Sequence, residues 1–499
     1  MSGIGFSGVS NFAYTAVATA VGVVATGGVS GAGVILSSGL VATLDLNFAG
    51  TAALPATVTF SRGTNATFTN SAGKVQLTSG VNDPRFDYDP ITLVCKGLLI
   101  EEARTNSIRN NTMQGAVVGT PGTPPTNTSI TAGGGVSSQI VSIGVESGVN
   151  YYDVRFFGTA SSVVAQRAYL EIPAVVAALT GQSWTFSAYL KLISGTTPVN
   201  LFIGIDETGP GATYIRTDQA NLSVTNTLTR YTYSTALSGG ASVAFILPQI
   251  GFNPTISNTY DFTLRIGLPQ LELGAFATSV IPTTAAAATR NADVAVMTGA
   301  NFSSWYNQTQ GTFVSVFDIE TAPLGSVTNK GVWSAFLDSS NCLISYATQS
   351  GGVLVDQVVV SGASQASLVS VQVLSANTQY KDAFGYTEND FARSFMGNTV
   401  QTDTSGTVPS GLTSFRLGYD DGSSPTLNGH IARITYYPTR LPNATLQALT
   451  APPPTTGFAV KSAAGTSYST TRNVLSAAGT SYAVSATVLS ANGTSYTPI

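Results

Sequence analysis

Few residues of this 499-residue chain carry charge: Lys and Arg number 21, Asp and Glu 25, together 9% of the sequence, for a net charge of −4. So few cations build no basic face, which excludes electrostatic binding to a nucleic-acid backbone. A single histidine, His430, excludes metal sites made of several imidazoles. It is also the one imidazole available to a nucleophilic triad, and no G-x-S-x-G elbow accompanies it. His430 therefore reads as a hydrogen-bonded structural residue at the start of a strand. The two cysteines, Cys95 and Cys342, are far apart and show no C-x-x-C spacing, so nothing suggests a disulfide scaffold or a thiolate zinc site, and a single disulfide between them is the open alternative. They read as apolar structural thiols. Gly73-Lys74 lacks the glycine before it and the Ser or Thr after it that a phosphate loop needs, and the glycines at 27, 28, 31 and 33 are wrongly spaced for a dinucleotide turn. No cofactor is expected. The first charged residue is Asp45, so residues 1–20 lack the basic region of a secretory signal. Residues 13–36 are apolar but studded with Gly, Ser and Thr, which argues for a close-packed attachment segment and against a bilayer span.

What is present is the composition of an all-β protein: 43% hydrophobic residues, 51 glycines and 22 prolines, with Ser, Thr, Val and Ala abundant. Trp184, Phe186 and Ala188 alternate with Thr185, Ser187 and Tyr189; Tyr260, Phe262, Leu264 and Ile266 alternate with Asp261, Thr263 and Arg265. Both are the period-two signal of sheets with one wet face, and predict a sandwich with the first set inside. Near the end of the chain Ala432, Ile434 and Tyr436 are expected in a core, with Ile431, Arg433, Thr435 and Tyr437 on the opposite face. Leu441-Pro442-Asn443 predicts a short helical turn over Thr445 to Leu449. Three copies of a Ser-Ala-(Ala or Asn)-Gly-Thr-Ser-Tyr unit, starting at Ser462, Ser476 and Ser490, predict short strands about glycine turns at 465, 479 and 493, completed by symmetry mates, with a flexible or decorative tail as the alternative.

Against this bland background residues 81–111, VNDPRFDYDPITLVCKGLLIEEARTNSIRNN, are dense in acidic and basic side chains. Asp83-Pro84 and Asp89-Pro90 predict two turns, because proline fixes its own φ and pushes the preceding residue toward extended geometry. Arg85 to Tyr88 reads as a short strand between them. Gly97 to Ile100, ending in Glu101, Glu102 and Arg104, reads as a buried strand whose end is tied down by ion pairs. The segment resembles one that recurs in head fibres, spikes and tail fibres of tailed bacteriophages, where a PRFDYDP-type turn runs into GLLIEEARTN. Thr59 to Val75 resembles the strand and turn that precede it there. Leu268 to Asp293 resembles the end of a jelly-roll carbohydrate-binding domain in the same proteins, and Leu427 to Thr450 the end of a concanavalin-like or laminin-G-like sandwich. The resemblance implies a virion appendage, attached to the head or the tail. The organisation expected is an attachment segment over 1–44, a fibre-motif domain over 45–118, a jelly-roll domain over 119–290, a concanavalin-like sandwich over 291–451, and a Pro linker with the repeats over 452–499.

Chemistry has few candidates. Asp318 and Glu320 lie two apart on a predicted strand, as two of the three acids of concanavalin-like glycosidases do, but Val316 stands where the third would be. Asp206-Glu207 and Asp420-Asp421, beside glycines, read as solvated turns, with calcium loops as the alternative. Sugar binding needs exposed rings beside amides or carboxylates; Trp305-Tyr306-Asn307 and Tyr419-Asp420-Asp421 are the candidates. The expectation is a non-enzymatic, homotrimeric virion fibre or spike. It attaches to other virion proteins through its N-terminus and adheres to host-surface polysaccharide. The rivals are a glycan-cleaving tailspike and a capsid decoration without ligand.

Overall fold

The computed structural model describes residues 41–322, 328–419 and 426–452, and beyond them three short antiparallel pairs: Thr15–Ala16 with Val23–Val24, Ala459–Lys461 with Ser467–Ser469, and Val488–Leu489 with Ser495–Tyr496. The last two flank positions 465 and 493 of the repeats; the middle repeat, and most of the 1–44 segment, lie outside the described residues.

The fold is all-β, two antiparallel sandwiches of which one is inserted into the other. In the outer sandwich one sheet runs Ala363–Val373, Val353–Val360, Asn341–Ala347, Lys330–Asp338, Ser414–Leu417, Val294–Thr298, Thr59–Ser61. The other runs Gln401–Asp403, Phe391–Phe395, Tyr380–Thr387, Gln310–Phe317, Gly429–Tyr437, Cys95–Ile100, Phe86–Tyr88, and Leu44–Leu46 also pairs with Gly429–Tyr437. This corrects the division expected from sequence. Residues 45–118 build no domain of their own: their strands Thr59–Ser61, Phe86–Tyr88 and Cys95–Ile100 join sheets whose other strands come from 291–451, Leu98 pairing with Ile431 and Phe60 with Ala295.

Trp333, Phe313, Phe384, Phe415 and Tyr436 fill the outer core, with Phe313 and Trp333 stacked at 4.2 Å. A polar knot interrupts it, where Arg393 lies 2.6 Å from Asp356 and 2.7 Å from Asp382. A register shift between Val316 and Phe317 moves Ile431 onto the core face alongside Ile434 and Tyr436. Strict alternation had placed Ile431 outside, and a bulge of this kind is what resets a strand's facing. The helix Asn443–Thr450 follows Pro442 and buries Leu446.

The inserted sandwich has one sheet ordered Ser129–Thr131, Gln166–Tyr169, Phe245–Phe252, Phe202–Thr208, Tyr214–Asn221, with Val176–Ala177 also pairing with Phe245–Phe252. Its second sheet runs Val136–Glu146, Val149–Thr159, Thr259–Leu273, Ser183–Gly195, Thr229–Ala236. Trp184, Phe186, Ala188, Phe262, Leu264 and Ile266 point into the core between them, as alternation predicts. The opposite face is polar but not wet near the joint. Thr185 and Ser187 are buried there, Thr185 donating to Gly274 O and Ser187 accepting from Arg230. The chain reaches the insert and returns from it side by side, Arg104–Asn106 pairing with Ala288–Arg290.

Candidate functional site

The joint between the sandwiches is held by an ionic knot. Arg85 lies 2.7 Å from Glu101 and also contacts Asp293; Arg62 lies 2.9 Å from Asp293, and Arg290 2.9 Å from Glu101. All five side chains are at most 1% exposed. Burial alone would raise the Glu101 carboxyl, but Arg290 and Arg85 outweigh it and hold it far below the usual carboxylate range. Backbone joins the same network, Ser279 N donating to Glu101 at 2.7 Å and Glu101 N to Asp293 at 2.9 Å. The charged end foreseen for the strand Cys95–Ile100 is thus a clasp between 59–101 and 278–293.

Beside the clasp a cleft of about 500 Å3 opens between the sandwiches. Thr69, Gly73, Val75, Pro90 and Ile91 form one wall; Glu146, Tyr189, Lys191 and Asn226 to Arg230 of the insert form the other. The insert reaches this wall through the hairpin turn Ser147-Gly148, both residues at positive φ. Such a turn joins two strands without splaying them. A β-carbon on Gly148 would lie 1.8 Å from Val75 O, so only glycine allows the walls to approach this closely. Lys191 pairs with Glu146 at 2.6 Å, Arg230 lies over the Tyr189 ring, and Ile91 is 85% exposed. Burial pushes the Tyr189 hydroxyl up, which leaves it a neutral donor. The cleft thus combines apolar surfaces with amide, hydroxyl and charged partners.

A smaller cavity of about 90 Å3 shares Thr69, Val75, Tyr189 and Arg230 with the cleft, and adds Asp87 and Glu320. Behind these two carboxylates lies His430, fully buried, with Nδ1 2.7 Å from Asp318 Oδ1 and Nε2 3.3 Å from Asp87 Oδ2 and 4.0 Å from Glu320 Oε1. Burial lowers the imidazole, yet Asp318, Asp87 and Glu320 together push it up to about 10. Burial pushes the Glu320 carboxyl up to about 7 against the pull of His430. Asp318 and Glu320, expected on one strand, instead follow the end of the strand Gln310–Phe317 and both turn toward His430; Asp87, in the RFDY strand, was missed. Its signal was the acid flanked by aromatics in a short strand, but its partner stands 343 positions away.

The sugar-binding residues expected from sequence are corrected. Trp305 and Tyr306 are 6% and 8% exposed and stack within the aromatic core, Trp305 donating to Asn301 O and Asn307 to Pro438 O. Their ring faces are taken by Phe302, Phe313 and Tyr436. Tyr419 is likewise buried, beside Arg416. Asp420 and Asp421 lie outside the described residues. Asp206 and Glu207 sit in the strand Phe202–Thr208 and not in a loop; Glu207 accepts Ser238 N and Gly239 N, Asp206 accepts Thr217 Oγ1 and Gln249. Cys95 and Cys342 lie in opposite sheets of the outer sandwich, Cys342 packed with Phe336, Ile344 and Val359.

No family model matches the chain. No curated protein matches it either. Among solved structures, the CBM40 of a Ruminococcus gnavus IT-sialidase bound to alpha2,3 sialyllactose is similar over 30% of this chain and 87% of its own, at 14% identity and a TM-score of 0.26. The CBM22-1-CBM22-2 tandem of Paenibacillus barcinonensis Xyn10C is similar over 68% of this chain and 99% of its own, at 12% identity and 0.23. Trypanosoma rangeli sialidase in complex with sialic acid is similar over 79% and 98%, at 9% identity and 0.23. Likeness at this level carries no argument about what this chain binds. Among the described residues no helix is long and apolar enough to cross a membrane.

Proposed function

We propose that this chain is a structural appendage of a tailed-phage virion, a head fibre or tail fibre, that adheres to host-surface glycan without cutting it. The observation that carries the reading is the cleft at the joint. The segment that resembles virion appendages supplies one of its walls, and its lining sets Tyr189, Pro90 and Ile91 beside Lys191, Asn226 and Glu146. A sugar offers an apolar face and a hydroxylated rim, and such a mixed lining suits both. Self-association, as a homotrimer attached to other virion proteins through residues 1–44, would turn weak single contacts into firm adhesion.

The test is a glycan array followed by calorimetric titration of host capsular polysaccharide and lipopolysaccharide into the full chain, with reducing ends assayed in parallel. Binding without new reducing ends is expected, weakened at least tenfold by Tyr189→Ala and also by Asn226→Ala, a change at an exposed residue of the cleft. Release of reducing ends would replace the adhesin with a depolymerase. Absence of binding would leave a decoration protein, and absence of the chain from purified virions would end the appendage reading.

A further inference from the structure

Three carboxylates, Asp87, Asp318 and Glu320, converge on the one imidazole of the chain. Its geometry is ordered. Asp318 Oδ1 takes His430 Nδ1 at 2.7 Å and His430 N at 3.1 Å, which fixes the ring and turns Nε2 toward Asp87 and Glu320. Nε2, one oxygen of Asp87 and one of Glu320 lie within 4.8 Å of one another. Zinc–ligand bonds of about 2.0–2.2 Å in tetrahedral array place neighbouring donors about 3.3 Å apart, and His430 Nε2 stands 3.3 Å from Asp87. Glu320 Oε1 stands farther off, at 4.0 Å from Nε2, so a single ion touching all three donors draws the Glu320 side chain inward. Its remaining coordination positions would face the 90 Å3 cavity, which is roomy enough for water.

From this arrangement we propose that His430 Nε2, Asp87 and Glu320 bind one divalent transition-metal cation, Zn2+ or Mn2+, with Asp318 as the positioning residue behind the histidine. The ion takes the place of the Nε2 proton, while Nδ1–H stays on Asp318, the carboxylate–histidine–metal relay that fixes the tautomer of a ligating imidazole. The mixed nitrogen and oxygen donor set disfavours Ca2+, which gathers six to eight oxygens. Arg230, lining the same cavity, is already engaged with Thr278 O and Ser187 Oγ. The site does not depend on glycan binding, since its donors sit at the inner end of the joint, in the smaller cavity.

The full-length chain, stripped with EDTA and dialysed metal-free, is titrated separately with Zn2+, Mn2+ and Ca2+ while bound metal, thermal midpoint and the absorption spectrum of a Co2+ form are read. One equivalent of Zn2+ or Mn2+ is expected, with a raised midpoint and a four- or five-coordinate Co2+ spectrum. Asp318→Asn should weaken binding by about 10–100-fold without abolishing it. Glu320→Gln, a change at a partly exposed side chain, should weaken it at least tenfold and alter the Co2+ spectrum even if His430→Gln fails to fold. No stoichiometric uptake of either ion, or uptake that Glu320→Gln and Asp318→Asn leave unchanged, would overturn the proposal.

Discussion

Replacing Arg85 with alanine removes the centre of the clasp. The guanidinium contacts Glu101 and Asp293 and also donates to Thr67 O at 3.0 Å and Ser279 Oγ at 2.7 Å, all out of water. Removing one partner of a buried ion pair costs about 3–5 kcal/mol, because the desolvated charge left behind has lost its counterion. Two carboxylates are affected here, yet neither is abandoned: Glu101 keeps Arg290 and Asp293 keeps Arg62. The loss should therefore stay within about 3–5 kcal/mol instead of doubling. Urea unfolding of wild type and Arg85→Ala measures it, and amide exchange at Glu101 and Ser279, whose N–H groups bond into the knot, shows whether the loss is local to the joint. A double-mutant cycle with Glu101→Gln isolates the pair. A cost below about 1 kcal/mol, the range of surface pairs, would refute the view that burial gives this network its strength. The exposed Arg155–Asp261 pair, broken in the same way, is the control and should change nothing measurable.

Acid should undo the clasp from the other side. The Glu101 carboxyl lies lower folded than unfolded, so its stabilisation is complete above about pH 4.3 and is lost progressively as pH falls below it. The thermal midpoint plotted from pH 7 to pH 3 should thus fall less steeply for Glu101→Gln than for wild type, and equal slopes would contradict the assignment. Trp305→Ala should cost about 3–5 kcal/mol, as core aromatics do, whereas Trp305→Phe should leave glycan titrations unchanged; weaker binding in a well-folded Trp305→Phe protein would restore the ring to the sugar site.

The alternation around Trp184 and Phe262 and the helix after Pro442 were legible in the sequence because each is set by neighbours a few residues away. Strand partnership is not. Nothing near Leu98 announces Ile431, nor does anything near Phe60 announce Ala295, so a segment with its own recognisable motif was read as its own domain. Exposure failed for the same reason. Trp305 and Tyr306 have the composition of a sugar site, but which faces of them are covered depends on Phe313, Phe415 and Tyr436. Thr185 and Ser187 read as wet because the segment that covers them arrives from another part of the chain. The cleft escaped detection because its two walls belong to different sandwiches.

Arg104–Asn106 and Ala288–Arg290, pairing as the chain goes out and comes back, make the inner sandwich a cassette. Its two ends sit next to each other, so a different sandwich could be spliced between them without rethreading a single strand of the host sheets. Such an exchange would replace one wall of the cleft and the Ser279 contacts, while the ion pairs of Arg62, Arg85 and Arg290 with Glu101 and Asp293 stay with the outer sandwich.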